Sequence, residues 1–312
     1  MLNPATYELF RYYLNERESI RLRKESGMPG PWTQDPILLK YKFTNISRAN
    51  DWTTRWVKKK WYDPNRHQPL EIQALNCALF RYFGSAEFAE VIGYQTEWDP
   101  AGIMQAARYR LSRGEKVFTG AYIITNGGRT DPKQEVVVNH YLTPFRQNAG
   151  KLVKIASEGS WQNACEFMQT LPGIGAFMSK EIALDLLMTP VLENAHDKNT
   201  WSPVGPGAIR GLNRLHDRPL EAPLTQAKGL VEMQELLALL AQEPRHNRHA
   251  DSYLLREKDE RGLLQEFPRI GPEYGVTDVQ FSLCELDKYM RVRNGEGRPR
   301  SSYDYKKSRQ KP

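Results

Sequence analysis

The chain is poor in cysteine and has no long apolar run. Cys77, Cys165 and Cys284 stand far apart among 312 residues with no Cys-x-x-Cys pair, which argues against a disulfide framework or a zinc site and leaves all three as small core residues. No stretch of about eighteen apolar residues occurs, so no membrane span is expected. The opening Met1-Leu2-Asn3-Pro4 lacks the basic-then-apolar pattern of a leader, and the expectation is a cytoplasmic protein with no membrane partner.

What the chain has is enough material for a core. A hydrophobic content of 40% over 312 residues suits one large domain or two packed lobes. The net charge of +7 is uneven, because residues 291–312 hold eight Lys or Arg against Glu296 and Asp304. That stretch is expected to be a basic, flexible tail beyond a domain over 1–290, either held to polyanions by counterion release or merely solubilising.

The most informative stretch is Leu171-Pro172-Gly173-Ile174-Gly175, between apolar-periodic segments at Ser160 to Thr170 and Ala176 to Leu187. Two glycines permit positive φ and remove Cβ atoms, so backbone amides can converge on an anion at the start of the second helix. This reads as a helix-hairpin-helix gripping a nucleic-acid backbone, with Gly173, Ile174, Gly175 and Lys180 as DNA contacts. The alternative is a plain turn between two helices. Such a grip positions a protein on DNA without doing chemistry.

Helical spacing recurs elsewhere. Tyr7, Phe10, Tyr13 and Leu14 predict a helix over Pro4 to Lys24, ended by the breakers from Gly27 to Pro31. Further helices are expected over Glu71 to Phe83, where Asn76 is a satisfied core group, over Ala101 to Leu111 and over Leu230 to Leu240. Thr277-Asp278-Val279-Gln280 has capping-box form ahead of an apolar stripe at Val279, Leu283, Leu286 and Met290. Val117 to Thr125, closed by Asn126-Gly127-Gly128, has strand propensity and predicts one short β-hairpin, although a buried helical turn fits the same run. Pro190 to Pro223 is rich in Pro, Gly, Asn and Asp and reads as a functional loop containing Gly205, Gly207 and Arg210, all three candidate DNA contacts. The fold class is therefore mainly α.

Chemistry-bearing residues cluster less clearly. If the chain is helical from Arg48, then Arg48, Asp51 and Arg55 share a face, and two arginines around a carboxylate could clamp a pyrophosphate. An exposed ion-pair ladder is the plainer reading. Lys58-Lys59-Lys60-Trp61 adds a basic aromatic patch. Glu285 and Lys288 neighbour the stripe of the last helix. His246, His249 and Asp251 are weak candidates for a metal, and no metal site is expected.

The hairpin followed by the Val204 to Leu212 stretch resembles the DNA-glycosylase layout, a two-lobed helical fold that reads a flipped base in a cleft. The catalytic aspartate of that superfamily has no counterpart in Val204-Gly205-Pro206-Gly207. Phe177 stands where bifunctional enzymes have lysine, and the iron–sulfur cysteines are missing. The combination Phe43-Thr44-Asn45-Ile46-Ser47-Arg48, Asp51, Thr54-Arg55-Trp56, Phe118-Thr119-Gly120-Ala121-Tyr122, Gly205-Pro206-Gly207-Ala208, Arg210-Gly211-Leu212 and Leu283-Cys284-Glu285, Asp287-Lys288-Tyr289 resembles a glycosylase-like family of phage thymine hypermodification. That family includes the α-glutamyl/putrescinyl thymine pyrophosphorylases, or amino acid:DNA transferases, and the helical domain of 5-hydroxymethyluracil DNA kinases. No Gly-x-x-x-x-Gly-Lys-Ser/Thr run occurs here, which favours the transferase over a fused kinase.

The resemblance implies displacement of pyrophosphate from 5-pyrophosphoryloxymethyl-uracil in double-stranded DNA by the amine of a free amino acid, glycine being one candidate. It would take place in an infected host cell and shield phage DNA from restriction. Arg48 and Arg55 would hold the pyrophosphate with Asp51 orienting them, and a divalent cation could assist. Asp185 is the candidate base, unless it only caps or pairs within the fold, with Glu285 second and Lys288 a further phosphate contact. A base-excision glycosylase and a non-catalytic helix-hairpin-helix DNA-binding module are the alternatives.

Overall fold

The computed structural model describes residues 1–242, 274–299 and 301–304. Helices dominate it in chain order: α1 (Pro4–Glu25), α2 (Pro36–Lys40), α3 (Trp52–Val57), α4 (Leu70–Phe83), α5 (Ala86–Ile92), α6 (Pro100–Ser112), α7 (Lys133–Glu135), α8 (Thr143–Ala156), α9 (Trp161–Gln169), α10 (Ala176–Leu186), α11 (Pro206–Leu215), α12 (Gln226–Gln242) and α13 (Val276–Arg293). The chain divides into two compact units, one of Met1–Asp51 with Ser202–Pro312 and the other Trp52–Trp201. Among the described residues there is no sheet, only an isolated antiparallel bridge between Tyr41 and Ser302.

In the first unit α13 is the axis on which the other helices pack. Its stripe of Val279, Leu283 and Leu286 meets Leu212 and Leu215 of α11, Met233 and Leu236 of α12, and Phe10, Tyr13 and Leu14 of α1, all buried. Helix α11 comes very close: a Cβ on Gly211 would lie 2.4 Å from the Leu283 carbonyl oxygen and one on Gly207 would lie 2.8 Å from Cys284 Sγ. Those two glycines, four residues apart, allow the backbones to approach as bulkier side chains would not. The stretch expected to be a loop at Val204 to Leu212 is thus largely helical. Pro206 sets its first turn, and its glycines serve packing.

The start of α13 also differs from expectation. Gly275 is the N-cap, and Asp278 rather than Gln280 reaches back, accepting the Gly275 N–H at 3.1 Å. Its end runs to Arg293, so the stretch expected to be tail begins inside the helix. Further along, Ser301 accepts from Lys42 N at 3.2 Å and Tyr303 N donates to Lys40 at 2.8 Å.

In the second unit α4 is buried on all sides, from Ile72 through Phe83, as a central helix should be. Gly84, at φ +60°, ends it in the left-handed conformation. Asn76 is satisfied as expected, donating to Ile72 and Gln95 carbonyls and accepting from Gln95 N, each at 2.8 Å. Helix α9 is capped by Ser160, whose hydroxyl accepts from Asn163 N at 3.2 Å and donates to Asp197 at 2.8 Å.

The run from Val117 to Gly128 is an irregular loop, not a β-hairpin. Val117 and Ile124 are its buried anchors, and Thr119 N donates to Phe83 O at 2.7 Å. Its amides therefore answer the end of α4 instead of a partner strand.

Candidate functional site

The second unit holds the glycine hairpin. Helices α9 and α10 flank Thr170 to Gly175, as expected. Gly173 has φ +75°, and a Cβ there would sit 2.1 Å from the Tyr141 ring, so only glycine fits. Its carbonyl accepts from Tyr82 Oη at 3.1 Å. Pro172, Gly173, Gly175 and Ala176 are exposed while Ile174 is buried. Gly175, the N-cap of α10, has no side chain to cap the helix, and no acidic residue lies in its first turn. Lys180, expected to touch DNA, is instead buried: its ammonium lies 3.4 Å from Glu181 and 5.5 Å from the Phe177 ring centroid.

Asp185, on the third turn of α10, is fully buried. Both its oxygens are taken by Arg81 of α4, at 2.6 Å from Nε and 2.5 Å from Nη2, and Tyr62 Oη donates to one of them at 2.6 Å. Burial, then the neighbouring Asp185 carboxylate, pushes the Tyr62 phenol well above its usual range. For Arg81 burial works downward, but the attraction and hydrogen bonds of Asp185 outweigh it and the guanidinium stays charged. This geometry fits a carboxylate that pairs within the fold.

Asp197, which the sequence did not single out, is similarly committed. Its carboxylate accepts from Trp161 N at 2.9 Å and Gln162 N at 3.0 Å at the start of α9.

The first unit gathers the other charged residues on one face of α13, where Asp278, Phe281, Glu285 and Lys288 recur at helical spacing. Against this face lies the turn at Thr44 to Asn50. Arg48 N donates to Asp278 Oδ1 at 3.1 Å and Thr44 N to Glu285 Oε2 at 3.2 Å. The Arg48 guanidinium is 5.7 Å from the Phe281 ring centroid, and Lys288 Nζ lies 4.6 Å from that of Phe43 and 2.5 Å from Glu285. Arg17 fixes the turn by donating to Asn45 Oδ1 at 2.6 Å.

Gly205 borders the same region of α13, its Cβ position 3.7 Å from Gln280 Nε2. Arg210 is engaged lower down, 3.1 Å from Asp287 and ion-paired with Glu221.

The expected continuous helix through Arg48, Asp51 and Arg55 is broken. Arg48–Asn50 is a single 3₁₀ turn, and Asp51 caps it in an extended conformation with ψ 133°. Arg55 lies on α3 of the other unit. The clamp therefore loses its helical basis. Asp51 marks a boundary between units, where the chain must extend to leave one core for another.

Asp278 has an unusual environment. Burial raises its carboxyl to about 6, against the lowering pull of the Gly275 and Arg48 amides, the Arg48 charge and the Ser47 hydroxyl. Because the folded value lies above the ordinary one, the folded state holds this proton more tightly. Stability linked to it is fully present below about pH 4 and is lost as pH rises through 6. Asp278→Asn is expected to remove a decline of about 2 kcal/mol between those limits, read from urea unfolding across pH 4 to 7. An unchanged slope would mean that Asp278 is not the group responsible.

No group of three or more His, Cys, Asp or Glu suited to a metal occurs among the described residues. His246, His249 and Asp251 lie outside them. No described helix is long and apolar enough to cross a membrane.

Residues 4–298 match the family described as 5-hmdU DNA kinase, helical domain. The chain belongs to that family. It is also similar to the 5-hmdU DNA kinase of Bacillus phage SP10, with 27% identity over 230 residues, which is 66% of this chain and 36% of that protein. The chain thus spans little more than a third of the length of that relative. No solved structure matches it. The helical domain of 5-hydroxymethyluracil DNA kinases is part of the phage thymine-hypermodification family that the motifs between Phe43 and Tyr289 resemble; of those motifs, Phe43 to Arg48 and Leu283 to Tyr289 touch within the first unit.

Proposed function

We propose that this member of the helical-domain family modifies a thymine-derived base in DNA by replacing a pyrophosphate with an amino acid. The amine nitrogen of the amino acid attacks the methylene carbon of 5-pyrophosphoryloxymethyl-uracil, a C–N bond forms, the C–O bond breaks and pyrophosphate leaves. Arg48 and Lys288 neutralise the leaving group. Glu285 accepts the proton released by the amine. Asp185 supports the second unit through Arg81. The exposed amides at Gly175 and Ala176 hold the DNA backbone while the base is extruded.

The observation that carries this reading is the gathering of Arg48, Lys288, Asp278 and Glu285 on one face of α13, with the backbone of the Thr44 to Arg48 turn bonded to the two carboxylates and Lys288 paired with Glu285. A displacement that expels pyrophosphate and consumes an amine needs that combination, whereas backbone binding alone needs only cations. The test is nucleoside mass spectrometry of pyrophosphorylated hydroxymethyluracil DNA incubated with the protein and single amino acids. A nucleoside bearing the amino acid in place of pyrophosphate is expected. Free base with alkali-labile sites would replace the proposal by excision, and unaltered nucleosides with salt-sensitive DNA retention would replace it by a binding role.

A further inference from the structure

Phe177 is the second residue of α10, directly after the glycine turn, and is 49% exposed. Tyr122 stands edge-on to it, ring centroids 5.3 Å apart at 62°. Tyr122 is itself fixed, since its hydroxyl donates to the Arg81 carbonyl. Its loop is pinned where Thr119 crosses Gly84, whose missing side chain leaves room that a Cβ would fill at 2.7 Å from Thr119 Cγ2. Ile123, next along, is 73% exposed. Lys180 places a cation 5.5 Å from the Phe177 ring centroid.

We propose that Phe177, braced by Tyr122, is a stacking platform for one nucleobase of DNA held at the hairpin. The inference rests on the DNA reading above and adds the surface that receives the base. A nucleobase fits better than a protein partner because the apolar surface is a single flat ring with one flanking aliphatic side chain. A stable protein interface would need about 1,000 Å² or more. The neighbouring Gly173 to Ala176 backbone is exposed and uncapped, suiting the phosphate that would accompany such a base. Stacking on an aromatic tolerates any base, so the platform would add affinity for an unstacked nucleotide without reading sequence.

The test compares wild type with Phe177→Ala and Phe177→Trp on two probes: a fully paired duplex, and a duplex with one mispaired thymine beside 2-aminopurine. On the mispaired probe the wild type should bind and raise 2-aminopurine fluorescence. Phe177→Ala should weaken that binding roughly ten-fold and abolish the fluorescence rise, while keeping paired-duplex affinity within about two-fold. Phe177→Trp should behave as wild type, and the exposed position should leave thermal melting unchanged in both. If Phe177→Ala matches the wild type on the mispaired probe, the platform is overturned while DNA binding stands. If the wild type binds neither probe, the DNA reading falls and the platform with it.

Discussion

Arg81→Met is expected to destabilise the second unit by about 3–5 kcal/mol, the usual consequence of removing one partner from a buried ion pair. In a thermal melt of the full chain this should lower the transition by roughly 10 °C. The reason lies in what remains: Asp185 is fully buried, Arg81 takes both of its oxygens, and Tyr62 donates to one of them. Methionine fills much of the arginine volume, so the loss reports the stranded charge more than a cavity. Adding Asp185→Leu to Arg81→Met should recover most of the stability, because an apolar pair leaves no charge to strand. An Arg81→Met protein that melts within about 1 °C of wild type would show that the pair does not hold the unit together.

The elements legible in the sequence are those whose pattern is local. The 3.6-residue recurrence of Phe10, Tyr13 and Leu14, or of Val279, Leu283 and Leu286, follows from one helix meeting one core, and α1, α4 and α13 lie close to where the spacing puts them. Leu171 to Gly175 is likewise local, because a tight turn needs glycine within the turn itself. What was not legible depends on partners distant in the chain. Asp185 looks like a free acid until Arg81, over a hundred residues earlier, is seen beside it. Gly207 looks like a loop glycine until Cys284 lies against it. Val117 to Thr125 reads as a strand because its residue types favour one, but the Thr119 amide answers the end of α4. Asp51 shares a face with Arg48 and Arg55 only if the chain is helical from Arg48, and its extended backbone, at the boundary of the two units, ends that turn. The motif residues Thr44, Arg48, Glu285 and Lys288 were separately visible, but their contact across more than two hundred residues was not.

Under the proposed displacement, Arg48→Ala is expected to slow amino acid transfer by about 10²–10³-fold, the range found when one donor to a developing negative charge is removed. The fall should appear mainly in kcat, because charge on the departing pyrophosphate grows as the C–O bond breaks and the arginine interacts most strongly at that point. Folding should be little affected: the bond that ties this turn to α13 runs from the Arg48 backbone N–H to Asp278 and survives truncation of the side chain. The losses besides the charge include a contact with the Phe281 ring, worth about 1 kcal/mol at a partly exposed site. Arg48→Lys should retain part of the rate, since an ammonium supplies charge without the planar fork that can bind two phosphate oxygens at once. Lys288→Ala should be milder than Arg48→Ala, because Lys288 already shares its charge with Glu285 at 2.5 Å. Single-turnover rates on pyrophosphorylated DNA, followed by nucleoside mass spectrometry, separate these cases. Full activity in Arg48→Ala would remove the leaving-group role from this face of α13 and leave the Asp278 and Glu285 contacts as structure alone.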